Sequence, residues 1–167
     1  KRHDVWEYFS QFLRSPQIIE AFLALYSPVI FKRLGIKDLK TLYDNYKIFP
    51  RINLIHDRTN YALGPHTDNP QKLVVFLIYF ENDLSDDENA SMGTSVYVPS
   101  QRGFKCEKGT HYPIKYFYKV FSADFKRNNM FSFCRTDTSF HGVEKVGNNP
   151  VERKLLQWSL YGVPNEN

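Results

Sequence analysis

Cysteine is scarce in this sequence: only Cys106 and Cys134 occur among its 167 residues. Two cysteines cannot form a disulfide framework, and these two are not a CxxC pair, so a disulfide-stapled fold is excluded. Cys134 lies in the apolar run FSFC, and we expect it to be a buried small hydrophobic residue rather than a reactive thiol. A reducing, cytoplasmic location is the corresponding expectation.

Long hydrophobic runs and an excess of one charge are also missing. No stretch approaches the ~20 apolar residues of a membrane-spanning helix, and no signal peptide is visible, so we expect no membrane association. Lysine and arginine number 22 against 18 aspartate and glutamate residues, which gives a net charge of +4. The basic residues are scattered rather than aligned, which argues against nucleic acid as a partner and is compatible with an anionic ligand.

Aromatic residues, in contrast, are abundant: they make up 16% of the chain, with 14 Phe and 11 Tyr. This many rings suits a β-rich core or a cleft with flat walls. The hydrophobic fraction of 42% is ordinary for a globular protein and allows a core to form. The length predicts one domain, 1–167.

The first part of the chain, residues 1–48, is predicted to form supporting helices, because apolar residues recur there at helical spacing. Ser15-Pro16 is typical of a helix start, and Ser27-Pro28 repeats that signal. Gly35 is expected to end the helix that follows, and Asp38 is expected to cap a short last helix.

Residues 49–162 have a different texture, with short β-branched and aromatic segments separated by Gly, Pro, Asn and Asp. Strands are predicted near 50–56, 61–67, 72–80, 94–99, 115–121, 129–134, 139–146 and 153–161. The run LVVFLIYF (73–80) is apolar on both faces, so it is expected to be a central strand covered on both sides. Helices followed by strands predict a mainly β sandwich or jelly roll with the helices on one face. The acidic segment 81–91 is expected to be a mobile surface loop or a lid.

Two histidines have unusual neighbours. His66 belongs to GPHTD, and residues i and i+2 of an extended chain point to the same side, so His66 and Asp68 can present an imidazole and a carboxylate to one ion. His141 belongs to SFHGV, between strand-like segments. Two imidazoles and one carboxylate on one face of a metal are diagnostic of Fe(II) oxygenases. A structural histidine beside a turn aspartate is the alternative, but a position directly before the strongest strand favours a rigid site.

Arg153 opens the final predicted strand and can hold a carboxylate through two parallel hydrogen bonds. A surface cation is the alternative for Arg153, and Lys154 is the competing residue. Strand alternation puts Arg153, Leu155, Gln157 and Ser159 on one face, whereas Lys154 shares the more apolar face that is expected to meet the helices. Arg153 is therefore predicted to point into the barrel.

The ordered set of His-x-Asp, His-Gly-Val and a late Arg resembles the 2-oxoglutarate/Fe(II)-dependent dioxygenase superfamily over residues 50–161. YALGPHTDNPQKLVVFLIYF (61–80) is similar to the iron-binding region of its prolyl-hydroxylase-like branch, where a turn, a basic residue and a strand ending in Tyr follow His-x-Asp. GTSVYVPS (93–100) and FHGVEKV (140–146) resemble the later segments of that branch. The resemblance implies a double-stranded β-helix, a cupin-like jelly roll, over 49–162.

The resemblance also implies the metal, the co-substrate and the reaction. His66, Asp68 and His141 would bind Fe(II), and Arg153 would bind the distal carboxylate of 2-oxoglutarate. With O2, such enzymes hydroxylate an unactivated C–H bond and release succinate and CO2. Related halogenases carry a small residue in the place of Asp68, so its presence favours hydroxylation.

Two further co-substrate contacts are predicted from the same resemblance. Tyr79 matches a tyrosine that can bond the distal carboxylate, and its alternative is an ordinary strand aromatic. Asn53 lies where related oxygenases often place a polar contact, and its alternative is a strand-end Asn in solvent. Arg51, His56 and Tyr61 are left without an assigned role.

Two other functional classes stay open. A non-catalytic β-helix protein would bind a ligand or a partner without turnover, and a cupin-like metal enzyme without 2-oxoglutarate would give Arg153 no role. The substrate is also open, a small molecule or a peptidyl residue, because a fold does not decide it. Segments 81–91 and 100–113 are expected to frame its entrance. The sequence leaves the oligomeric state open.

Overall fold

The computed structural model describes residues 2–58, 60–80, 92–106, 110–146 and 152–166. Three helices come first in the chain: α1 (Arg2–Arg14), α2 (Pro16–Leu34) and α3 (Leu39–Asn45). None of the helices in these ranges is long and apolar enough to cross a membrane.

The predicted helix ends are confirmed at three positions. Pro16 is the first residue of α2, and Gly35 ends this helix in the left-handed region, with φ of 67°. The Asp38 carboxylate accepts a hydrogen bond of 2.7 Å from the Thr41 backbone N–H and so caps α3.

The helix start predicted at Ser27-Pro28 is wrong, because Pro28 lies inside α2. Proline cannot donate a backbone hydrogen bond, which normally interrupts a helix. Leu23 and Ile30, on either side of Pro28, are almost fully buried in the core beneath the helix. We attribute the continued helix to this burial, which outweighs the lost hydrogen bond.

Eight strands follow in the described part of the chain, each at a predicted place. They are β1 (Tyr46–Arg58), β2 (Leu63–His66), β3 (Lys72–Tyr79), β4 (Thr94–Pro99), β5 (Phe117–Ser122), β6 (Met130–Cys134), β7 (His141–Val143) and β8 (Glu152–Pro164), with a 3-10 turn at Ile114–Tyr116. β1 and β8 are longer than predicted because they pair residue by residue from Tyr46 and Pro164 to Arg58 and Glu152. The loop predicted at 81–91 lies outside the described residues.

The strands pair as if the chain folded back on itself at the β4–β5 connection. β1 pairs with β8, β2 with β7, β3 with β6 and β4 with β5, all antiparallel. The first sheet has the order β1-β8-β3-β6 and the second β2-β7-β4-β5, so successive strands change sheet at every step except β4 to β5. The predicted class is confirmed at this level: the fold is mainly β, with two packed four-stranded sheets and N-terminal helices in a sandwich or jelly-roll-like arrangement.

The first sheet is covered on both faces, as predicted for its central strand β3. Val74 and Phe76 of β3 pack with the helices, whereas Val75 and Leu77 face the second sheet. β8 alternates in the same way, because Leu156, Trp158 and Leu160 belong to the helix-side core and Leu155 to the core between the sheets. The alternation predicted for β8 is therefore confirmed. The face of β8 that carries Arg153 and Leu155 points between the sheets.

Candidate metal centre

His66 and His141 lie opposite each other on the neighbouring antiparallel strands β2 and β7. Their ring centroids are 4.4 Å apart. Asp68 follows His66 by two residues, and its carboxylate turns to the same side. One ligand atom from each of the three residues lies within 4.8 Å of the other two. The structure thus brings together the three residues that the sequence predicts as metal ligands.

Both imidazoles are held in the form that binds a metal. His66 Nδ1 donates to the Gly64 carbonyl at 2.9 Å, and His141 Nδ1 donates to the Ser139 carbonyl at 3.0 Å. A carbonyl oxygen can only accept, so the proton must sit on Nδ1 and the Nε2 lone pair is available. Burial, reinforced by His141, lowers the pKa of His66 to about 4, and burial also lowers the pKa of His141. Both rings are therefore neutral near pH 7.

The two carboxylate oxygens of Asp68 have different surroundings. Oδ1 accepts a hydrogen bond of 2.7 Å from the Lys72 ammonium group. Oδ2 is buried 3.6 Å from His141 Nε2 and accepts a hydrogen bond from none of the described residues. Burial acts to raise the pKa of Asp68, but His141 and Lys72 outweigh it and the pKa is lowered. A buried, ionised oxygen without a donor is unfavourable unless a cation contacts it.

The turn that carries Asp68 is fixed from two sides. Arg135 Nε donates to the Asp68 backbone carbonyl at 3.0 Å. Arg33, which lies in α2, donates to the carbonyls of Pro70 at 3.0 Å, Lys72 at 2.8 Å and Arg135 at 2.5 Å. The N-terminal helices therefore cover the core and, through Arg33 of α2, also hold the turn that positions the Asp68 carboxylate.

Arg153 points between the sheets, as predicted, and lines the same cavity as the three ligands. It is not free there: Nη1 donates to Asp57 Oδ2 at 2.6 Å, and Nε donates to the Met92 carbonyl at 2.5 Å. The side chains of Arg153 and Asp57 are only 3% and 8% exposed, so this is a buried ion pair. Lys154, the competing residue, is exposed and pairs with Glu152 on the surface.

Tyr79 lies beside Arg153 but is engaged by Thr94. The Tyr79 hydroxyl donates to Thr94 Oγ1 at 2.9 Å and accepts from the Thr94 backbone N–H at 3.1 Å. The Arg153 guanidinium carbon lies 5.8 Å from the centre of the Tyr79 ring. Thr94 lines the cavity, and Arg153 Nη2 reaches its Oγ1 at 3.5 Å.

Asn53 is not among the residues that line the described cavity. It is exposed, and its amide lies 3.4 Å from Gln157 Oε1, which does line the cavity. Of the residues left without a role, Tyr61 lines the cavity, whereas His56 lies outside it, 3.3 Å from Glu152.

Five residues that contact the ligands or Arg153 were not singled out from the sequence as functional: Asp57, Lys72, Thr94, His111 and Phe133. The His111 ring lies 4.5 Å from that of His66, and the Phe133 ring lies 4.3 Å from that of His141. Lys72 had a local signal, a lysine opening an otherwise apolar strand four residues after Asp68. The other four residues, Asp57, Thr94, His111 and Phe133, reach the site only because strands pair and loops pack in the folded structure. Their sequence surroundings therefore gave no signal.

The donor set of two neutral imidazoles and one carboxylate suits a divalent first-row metal such as Fe(II) and leaves part of the coordination sphere for other ligands. Neither models of known protein families nor curated proteins gave a match to this sequence.

Proposed function

We propose that this protein is an Fe(II)- and 2-oxoglutarate-dependent dioxygenase built on a double-stranded β-helix. The observation that carries the proposal is the convergence of His66, Asp68 and His141 within 4.8 Å, with the buried Asp68 Oδ2 left without a donor among the described residues. These residues would hold Fe(II) through both Nε2 atoms and Oδ2. With O2 and 2-oxoglutarate, bound iron supplies the oxidation that hydroxylates a C–H bond and releases succinate and CO2.

The strand pairing supports the proposed fold. Pairs β1–β8, β2–β7, β3–β6 and β4–β5 pass in turn from one sheet to the other, which is the path of two antiparallel strands wound as a helix. In this fold the two histidines come from one pair, β2–β7, and Arg153 comes from the β1–β8 pair. Residues from distant parts of the chain can thus be held rigidly around one cavity.

The charges around the cavity support a dianionic co-substrate. Lys72 pairs with Asp68 and Arg153 pairs with Asp57, so the four charges cancel. A divalent cation bound by the neutral histidines and Asp68 would then add two positive charges to a buried region. A dianion such as 2-oxoglutarate would neutralise them, which is favourable where the effective dielectric constant is low.

Within this proposal the protein residues bind and orient. Arg153 would hold the far carboxylate of 2-oxoglutarate, which leaves the other end of the molecule next to the ligands. Phe133, against His141, would help to keep water from the ligand cluster.

The proposal is tested by metal binding and by turnover. We expect the purified protein to bind Fe(II) under anaerobic conditions. When O2 is added with ascorbate, which supplies the two electrons that the substrate C–H bond would otherwise give, we expect it to convert 2-oxoglutarate to succinate and CO2, measured by chromatography. H66A and H141A should lose both properties. H56A is the matched control, because His56 is an exposed histidine outside the cavity, and it should behave like the wild type. Metal binding that survives in H66A and H141A would refute the proposed centre.

One observation favours a second candidate, a metal enzyme of the same fold that does not use 2-oxoglutarate. Arg153 already has Asp57 and the Met92 carbonyl as partners, and a structural role accounts for both contacts. The two candidates differ in one assay. Fe(II) binding that depends on His66 and His141, together with no consumption of 2-oxoglutarate, would favour the second candidate or a non-catalytic binder.

A further inference from the structure

We infer that Thr94, rather than Tyr79, contacts the distal carboxylate of the co-substrate, and that Tyr79 is a positioning residue that acts through Thr94. This inference rests on the proposed function. It changes the role that the family resemblance assigns to Tyr79, and it gives a binding role to a residue that the resemblance leaves without one.

The first step concerns Tyr79, whose hydroxyl has no donor left for a ligand. A phenol has one hydrogen to donate, and that hydrogen goes to Thr94 Oγ1 at 2.9 Å. The same oxygen accepts from the Thr94 backbone N–H at 3.1 Å. The side chain is about 1% exposed, and Tyr79 is not among the residues that line the described cavity. A carboxylate, which only accepts hydrogen bonds, therefore gains nothing from Tyr79 in this arrangement.

The second step concerns the hydroxyl of Thr94, which has a hydrogen to offer. A threonine hydroxyl has two lone pairs and one hydrogen. The lone pairs of Oγ1 are directed to Tyr79 at 2.9 Å and to Arg153 Nη2 at 3.5 Å. The hydrogen is thus the remaining polar capacity of this group, and Thr94 lines the cavity. A donor with this orientation suits a carboxylate oxygen.

The third step is that Arg153 offers its available N–H groups in the same corner. Its Nε is engaged by the Met92 carbonyl, and its Nη1 by Asp57 Oδ2 at 2.6 Å. Nη2 is the nitrogen beside Thr94. A carboxylate placed there would accept from both Nη2 and the Thr94 hydroxyl, while Asp57 keeps its bond to Nη1. The pair of donors defines a subsite for the charged end of a 2-oxo dicarboxylic acid.

Isosteric variants and matched ligands can test this assignment. Valine has the shape of threonine without the hydroxyl, and serine keeps the hydroxyl. We expect T94V to weaken binding of 2-oxoglutarate to the Mn(II)-loaded protein about 10- to 100-fold, as for loss of a hydrogen bond to a charged group, and T94S to bind it nearly normally. Binding of 2-oxopentanoate, which has a methyl group in place of the distal carboxylate, should be unchanged in T94V. Calorimetric titration measures both ligands.

A double-mutant cycle tests the role of Tyr79. Because Tyr79 acts through Thr94, Y79F should weaken 2-oxoglutarate binding less than T94V does, and adding Y79F to T94V should change binding by less than about twofold. Both variants that carry Y79F deprive the residue-94 backbone N–H of the acceptor that it has at 3.1 Å in the wild type, so the cycle compares them with each other. T94A, which removes the hydroxyl and is smaller than valine, provides the measurement if T94V folds poorly. Circular dichroism checks the fold of each variant.

Three results would overturn the inference. T94V could bind 2-oxoglutarate like the wild type while Y79F does not, which would restore the direct contact of Tyr79. T94V could weaken both ligands equally, which would make Thr94 merely structural. Wild-type protein that binds Mn(II) but neither ligand would overturn the proposed function together with this inference, so the two failures are distinguishable.

Discussion

Arg153 and Asp57 lie directly opposite each other on strands β8 and β1, with Nη1 of the arginine 2.6 Å from Oδ2 of the aspartate. Both side chains are buried, and both line the cavity that contains the candidate metal ligands. A buried charge is unfavourable without a partner of opposite charge. This ion pair therefore stabilises the pairing of β1 with β8 and also fixes two side chains in the wall of the cavity.

Removal of one member of this pair should destabilise the protein more than removal of both. We expect D57A to lower the free energy of unfolding by about 3–5 kcal/mol, because Arg153 is left buried and unpaired. D57L with R153M, which replaces both charges by apolar groups, should cost less than D57A. Urea denaturation measures the difference. An equal or larger loss in the double variant would mean that the two charges do not act as a pair.

Lys72 should matter for metal binding more than a surface lysine does. It holds Asp68 Oδ1 at 2.7 Å and leaves Oδ2 toward the histidines. Loss of such a supporting contact typically reduces metal affinity about 10- to 100-fold, and we expect this for K72M in a Co(II) titration. K72R should retain most of the affinity. K119M is the matched control, since Lys119 pairs with Glu144 on the exposed part of the second sheet. Equal affinities in K72M and K119M would contradict the role of Lys72.

The sequence predicts the strands of this fold well because their signals are local. Alternation and β-branched runs mark each strand in its own segment, and LVVFLIYF is correctly predicted to be covered on both faces. The ends of β1 and β8 could not be read in this way, since they extend only because each strand supplies hydrogen bonds to the other. Pro28 is the converse case, because Ser27-Pro28 gives a local helix-start signal that the burial of α2 overrides.

The candidate site also has one part that local sequence predicts and another that appears only in the folded structure. His66 and Asp68 are two residues apart, so their common direction follows from strand geometry alone. The inward direction of Arg153 follows from the alternation of β8. The partners of Arg153 could not be predicted, because Asp57 and Thr94 are 96 and 59 residues away along the chain and meet it only in the folded structure.

Cys134 should react slowly with thiol reagents at moderate pH. It packs against the helix-side core, and burial raises the pKa of its thiol to about 11. At pH 8 roughly a thousandth of such a thiol is ionised, against about a quarter for an ordinary cysteine. In C106S, which leaves one thiol, we expect modification by iodoacetamide at pH 8 to be about 200-fold slower than in the unfolded protein. The rate should rise with pH up to about pH 11, as the thiolate fraction grows. A fast reaction at pH 8 in the folded protein would show that the thiol is accessible and ionised.

Gly142 should be required for the close approach of the two ligand strands. It follows His141 on β7, and a Cβ atom there would lie 2.4 Å from the Leu63 carbonyl oxygen of β2. Backbone cannot yield as a side chain can, so an added methyl group would push β2 away from β7 and separate His66 from His141. We expect G142A to lower the free energy of unfolding by about 1–3 kcal/mol and also to weaken Co(II) binding.

G162A is the matched control for this substitution. A Cβ atom at Gly162, on β8, would meet only side-chain methyl groups of Leu73 and Ile48, at 3.1 and 3.3 Å. These side chains can shift by a few tenths of an ångström, and they lie on the helix side of the first sheet, away from the ligands. G162A should therefore change stability less than G142A and leave Co(II) affinity unchanged. If G142A bound Co(II) as tightly as G162A, the spacing of β2 and β7 would not control the position of the two imidazoles.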